Sequence, residues 1–153
     1  MANELKFDKE AAHKYFSGHC FNSVWGLIDK KDRTEKENEQ MIQLAQASIY
    51  HWTQRSDCTN QNLSIGYWLA SRVYAIVGCA DSARKYGQIS LDLTEENESF
   101  LRGYAYEALA RAESVAGDNA KKDEYLVKAR QYADAVEKDD EKQFLVGDID
   151  TIK

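Results

Sequence analysis

Two windows decide the fold: Gly66–Gly78, GYWLASRVYAIVG, and Ala105–Gly117, AYEALARAESVAG. They lie 39 residues apart and align without a gap. Tyr67 falls on Tyr106, Arg72 on Arg111 and Gly78 on Gly117, and beyond the windows Tyr86 falls on Tyr125. Gly66 with Ala105, Ala75 with Ser114, Ile76 with Val115 and Ser90 with Ala129 are weaker matches in the same register. A fixed period of this length is the mark of helical hairpins that stack side by side. Each window ends on a glycine, suited to the left-handed position just past a helix.

Working outward, the second hairpin runs from Gln61 through Gly78 to about Leu93, and the third from Asn97 through Gly117 to Glu137. Helix six starts at Asp118, a good cap. Upstream, a first helix is expected from Asp8, its cap, to Ile28, carrying Ala12, Phe16, Cys20 and Leu27 beside Phe21, Val24, Trp25 and Ile28. Thr34-Glu35-Lys36-Glu37 reads as a capping box that opens a second helix to about Arg55. That helix has a stripe of Met41, Leu44, Ala45, Ser48, Ile49 and Trp52. This first hairpin, 8–55, is divergent: shifting back from Gly78 by one period lands on Glu39. Residues 139–153, with Phe144, Leu145, Ile149 and Ile152, are expected as a capping helix. No stretch alternates as a strand does, and there is no proline to interrupt the helices. The expected fold is all-α, one domain over 1–153: a right-handed α-α superhelix of about three hairpins plus a C-terminal cap.

The composition narrows the function. Net charge is −6, with 26 acidic against 20 basic residues, which argues against nucleic acid and against an anionic membrane as partners. No run reaches the roughly 20 apolar residues of a membrane span. The opening residues, Met1-Ala2-Asn3-Glu4-Leu5-Lys6, do not read as a secretory signal. Cys20, Cys58 and Cys79 are odd in number and widely spaced, which suits reduced thiols in the cytoplasm.

From Asn62 to Val136 the chain resembles the tetratricopeptide repeats (TPR-like). The resemblance rests on the bulky Tyr67 and Tyr106, the small Ser71 and Ala110, the turn glycines Gly78 and Gly117, and the small Ala83, Ser90 and Ala129. The chain departs from that pattern in its period of 39 instead of about 34. It also lacks the closing proline, with Glu95 near that place, and carries Glu113 where the earlier unit has Tyr74. The resemblance implies a concave surface, lined by the first helix of each hairpin, that binds an extended peptide or a partner helix. Its positions here would be Ile65, Trp68, Arg72 and Ile76, then Tyr104, Glu107, Arg111 and Val115. Arg72 and Arg111 would face the same way, fit to clamp a carboxylate or phosphate, or else to pair with nearby glutamates. Removing both arginines is expected to weaken partner capture and to leave the fold intact.

Chemistry has little purchase in the sequence. There is no nucleophile elbow, phosphate loop or dinucleotide fingerprint, so no catalytic residue and no cofactor is expected. Glu10 and His13 share a helix face, and antiparallel pairing of the first two helices would bring His51 to His13. These three, with Cys20, are weak candidates for a metal, and histidines bonded to backbone carbonyls are the commoner outcome. The aromatics of the first half either fill seams or line a pocket between the first hairpin and helix three, with Asn22, Trp25, His51 and Trp52 as candidate ligand residues. The leading expectation is a protein-interaction module. The alternatives are a small-ligand or metal-binding protein using the first hairpin, or a chain that self-associates, as a homodimer, through the groove or the last helix.

Overall fold

The capping chemistry read from the sequence sets the helix boundaries. In the computed structural model, which describes residues 7–153, the Asp8 carboxylate accepts the Ala11 N–H at 3.0 Å and opens α1 (Lys9–Ile28). Thr34 and Glu37 form the expected capping box at the start of α2 (Glu35–Thr53). A second box, Thr59 with Asn62, opens α3 (Asn60–Ile76). There the N3 side chain is an asparagine in place of the usual glutamate or glutamine, so the motif escapes a search for the standard pair. Then follow α4 (Ala80–Asp92), α5 (Ser99–Ala116), α6 (Asn119–Ala135, capped by Asp118) and α7 (Asp139–Ile149). The described residues hold no strand, and none of these helices is long and apolar enough to cross a membrane.

The fold is an all-α stack of helical hairpins. α1 packs on α2, α3 on α4 and α5 on α6, while α2 meets α3, α4 meets α5, and the first helices α3, α5 and α7 pack in succession. The 39-residue register is carried into three dimensions. Gly78 and Gly117 are the two residues with positive φ among the described residues, at 82° and 79°. Behind each, the same bond closes the helix: Cys79 N–H to Tyr74 O at 2.8 Å, and Asp118 N–H to Glu113 O at 3.1 Å. Within each hairpin the matched tyrosines meet, Tyr67 with Tyr86 at 5.9 Å between ring centroids and Tyr106 with Tyr125 at 6.1 Å. The departure at Glu113 has a physical reason. Its buried carboxylate receives both arms of Arg84 from α4, each at 2.8 Å, whereas Tyr74 stacks on Tyr86.

The core has two main bodies. One joins α1, α2 and α3 around Val24, Met41, Ile49, Leu69 and Val73, and the other joins α5, α6 and α7 around Tyr106, Leu109, Leu145 and Ile149. Between them α3, α4 and α5 meet on Ala75, Ala83 and Ala112, whose small side chains let the backbones approach. On α1 the buried line is Ser17, Cys20 and Val24. Phe16, on an apolar stripe in the sequence, is 42% exposed; Ser17 faces α2 instead, its backbone carbonyl accepting the Ser48 hydroxyl at 2.7 Å and its own hydroxyl accepting from Arg55.

α7 is seated by a missing side chain. A Cβ at Gly103 would collide with Leu145 Cδ2, and Leu145 is fully buried and has nowhere to move. Gly103→Ala should therefore destabilise the chain by about 1–2 kcal/mol, since overpacking outweighs the helix propensity gained. Gly18→Ala, in the middle of α1 with nothing within 4 Å of the added methyl, should instead stabilise by roughly 0.5–1 kcal/mol. Urea unfolding followed by circular dichroism reads both, and the two signs should be opposite.

Candidate functional site

α3 and α5 bring Trp68, Arg72, Tyr104, Glu107 and Arg111 together, where α7 joins them. The centre of this face is Glu107 on α5, whose side chain is wholly buried. Trp68 of α3 donates its indole N–H to Glu107 Oε2 at 2.9 Å. Arg111, one turn along α5, donates Nε to Oε1 at 2.9 Å, and Arg72 of α3 stands 3.6 Å from the same oxygen. Because Trp68 and Glu107 occupy matched positions of the repeat, one period of displacement places the donor opposite the acceptor. A carboxylate with no water needs this many partners, since burial of an unpaired charge costs several kcal/mol.

The second carboxylate comes from α7. Asp148 accepts from Arg72 at 3.3 Å and from the Tyr104 hydroxyl at 2.8 Å, and its carbonyl accepts from Arg111 at 3.1 Å. Arg111 also donates to Thr151 at 2.8 Å. Two arginines and two acids close a neutral network across α3, α5 and α7. Burial, then the bond to Asp148, pushes the Tyr104 phenol far above its ordinary range, so it remains a donor at all working pH values. The arginines thus take the other course expected of them, pairing with acids of the chain itself, Glu107 and Asp148. Removing both arginines would leave Glu107 buried with only an indole N–H, so the double deletion expected to spare the fold would instead break it.

The unfilled part of this face is apolar. A cavity of about 280 Å³ lies between α1, α3 and α5, walled by Phe21, Trp25, Ile65, Trp68, Phe100 and Tyr104. Its polar groups are already spent. The Trp68 N–H goes to Glu107 and the Tyr104 O–H to Asp148, while Ser64 and Ser90 bond each other's carbonyls at 3.0 and 2.9 Å. Of the candidate groove residues, Ile65, Trp68 and Tyr104 line the cavity, Arg72, Glu107 and Arg111 form the network beside it, and Ile76 packs into the first core body. Val115 is 40% exposed and joins neither. Ile65 also borders a smaller cavity of about 130 Å³ with Phe21 and Trp52. Among the candidate ligand residues, Trp25 and Trp52 reach these cavities, Asn22 points to solvent and His51 turns elsewhere. Phe21, Phe100 and Leu101 line the cavity outside the candidate set. Phe100 and Leu101 open α5 ahead of the repeated window, where the 39-residue match gives no signal.

His51 meets His13 as antiparallel pairing of α1 and α2 requires, with the two Nδ1 atoms 2.8 Å apart, so one ring donates and the other accepts. Glu10 is drawn away from them: its carboxylate accepts the Ser56 N–H and hydroxyl. Cys20 lies two turns along α1 from His13, too far to join it, and is buried; burial raises its thiol above the ordinary value. Among the described residues no three histidine, cysteine or acidic side chains gather closely enough to hold an ion. Compared with known proteins, the chain matches no family model, no curated protein and no solved structure.

Two outcomes follow from these contacts. Glu107→Ala should lower stability by about 3 kcal/mol, as expected when one partner of a buried ion network is removed. Glu124→Ala, which loses only an exposed pair with Lys128 at 3.8 Å, should change the urea midpoint too little to resolve. His51 titrates below the ordinary imidazole value of 6.5, first through burial and then through the charge of His13. The folded chain therefore binds fewer protons there than the unfolded chain, and that share of stability is present above the ordinary value and lost as the pH falls below it. Between about pH 7 and 5.5 the urea midpoint should drop, and His51→Gln should flatten the drop.

Proposed function

We infer that this chain is a TPR-like protein-interaction module, whose inner face takes a bulky apolar side chain of an extended peptide or partner helix into the cavity between α1, α3 and α5. The observation that carries this reading is the cavity itself: an open apolar space, walled by aromatics from three successive hairpins, on the face where hairpin arrays of the TPR kind receive their ligands. The matched glycine turns and tyrosine pairs support the TPR-like assignment. α7 supports this reading in cis: it is a helix packed on the same face, with Leu145 in a notch and Asp148 on the arginines. Three free cysteines, one of them exposed, fit a reducing compartment such as the cytoplasm.

A second reading is a small uncharged ligand in the same cavity. It is favoured by the spent polar groups of the wall, which leave little to hydrogen-bond a polar molecule. Either way the occupant is apolar, and the arginines are not its contacts.

Titrating N-acetyl-tryptophanamide and N-acetyl-leucinamide into 15N-labelled protein tests the anchor site. Burying such a side chain is worth about 1.5–3 kcal/mol, so amide shifts at high ligand concentration are the readout. The amides of Phe21, Ile65, Phe100 and Leu101 should move together, and Ile65→Glu should abolish the movement. Ile65 is 39% exposed, so this change leaves the core in place. Shifts spread evenly over the surface, or unaffected by the substitution, would remove the cavity as the anchor site.

A further inference from the structure

Ile65, Phe100 and Leu101, which wall the apolar cavity, also line a neighbouring open groove of about 570 Å³ between the start of α5 and the α6–α7 joint. The wall of this groove carries three carboxylates, Glu98, Glu137 and Glu141, against one ammonium, Lys138. Lys138 is held by Glu141 at 2.9 Å, and Glu98 accepts from the Gln61 side chain and the Glu95 N–H. Glu137 is exposed and has no ion pair among the described residues. Asp139 and Asp140 follow it on the exposed start of α7. The groove therefore carries excess negative charge that the chain does not neutralise, in contrast to the balanced network around Glu107 a short way along the same face.

Resting on the interaction reading above, we propose that the occupant of this face is a basic-hydrophobic peptide segment: one bulky apolar anchor in the cavity between Trp25 and Phe100, with lysine or arginine beside it along the Glu98–Glu137–Glu141 groove. Three features converge on this class. The cavity excludes a charged anchor, because its wall has almost no free polar group. The groove shares Ile65, Phe100 and Leu101 with the cavity, so a peptide anchored in one lies beside the other. Its excess of carboxylates repels an acidic segment and attracts a basic one, which sets the choice of partner and the rate of encounter more than the depth of binding. A membrane surface, which would present anionic headgroups to these acids, is disfavoured by the same charge.

The test is a random dodecapeptide display library selected against the whole chain, at about 0.05 M and about 0.5 M salt, where screening lengths differ several-fold. The expected enrichment is a single bulky apolar residue with lysine or arginine within a few positions, recovered at low salt and reduced at high salt. The most enriched peptide should bind at least about tenfold more weakly, a loss of roughly 1.4 kcal/mol, to a Glu98→Gln, Glu137→Gln, Glu141→Gln variant. Glu137→Gln alone, at an exposed position, should move affinity in the same direction and guards against misfolding of the triple variant. Enriched peptides with an apolar anchor and no basic bias, or a basic bias indifferent to these glutamates, overturn this inference and leave the interaction reading standing. Enrichment insensitive to Ile65→Glu, or none above the bare support, overturns both.

Discussion

Glu107 is the constraint around which the inner face is arranged. A carboxylate with no exposure to water is costly, and this one is made tolerable by an indole N–H and a guanidinium from α3, a second guanidinium from its own helix and, through those arginines, an aspartate from α7. Remove any one helix and a charge is stranded. The apolar contacts of α7 are the Gly103 notch that holds Leu145 and the buried Ile149, and the polar contacts of Asp148 add a second constraint on the same helix. The network therefore fixes how the units are registered, in a stack whose alanine-rich seams would otherwise permit sliding.

That arrangement also sorts the inner face into three zones. At one end the arginines and acids cancel, and the surface has been closed by the chain itself. In the middle lies an aromatic cavity whose polar edges have been turned outward to the network. At the other end an acidic groove adjoins the cavity near the starts of α5 and α7. Two substitutions within the repeat shape this face. Trp68 is replaced by Glu107 one unit on, which creates the donor–acceptor pair. Ser64 is replaced by Gly103, which exchanges a hydroxyl bridge for the notch that receives Leu145. The repeat supplies the scaffold, and its irregularities supply the surface.

Much of this architecture is legible in the sequence, for identifiable reasons. Asp8, Thr34 and Asp118 cap their helices with their own side chains, and Gly78 and Gly117 take the backbone conformation that glycine tolerates best, so local chemistry alone marks these boundaries. The site is legible only in part. That Arg72 and Arg111 face one another follows from the period. That their carboxylates come from the same chain does not, because Asp148 reaches them from 37 to 76 residues away. The polar partner of Arg84 was likewise hidden, since Glu113 reads as a flaw in a pattern until α4 is placed against it. Phe16 misleads in the opposite way: an aromatic in an apolar stripe is exposed here, and the serine beside it faces α2.

The placement of the three tryptophans gives the molecule an optical asymmetry. Trp25 and Trp68 wall the large cavity and Trp52 borders the small one, while every residue after Trp68 is tryptophan-free. Their rings are coupled, Trp25 to Trp68 at 5.9 Å and Trp68 to Tyr104 at 5.0 Å, and the guanidinium of Arg55 lies 3.8 Å from the ring of Trp52. Indole emission from this chain is thus a local report on the inner face and the first three helices. The last three helices contribute only tyrosine light, of which that from Tyr104, 5.0 Å from Trp68, is placed for transfer to it. A transition followed by indole emission and one followed by backbone ellipticity observe different parts of the array, and any gap between them measures how far the array melts from one end.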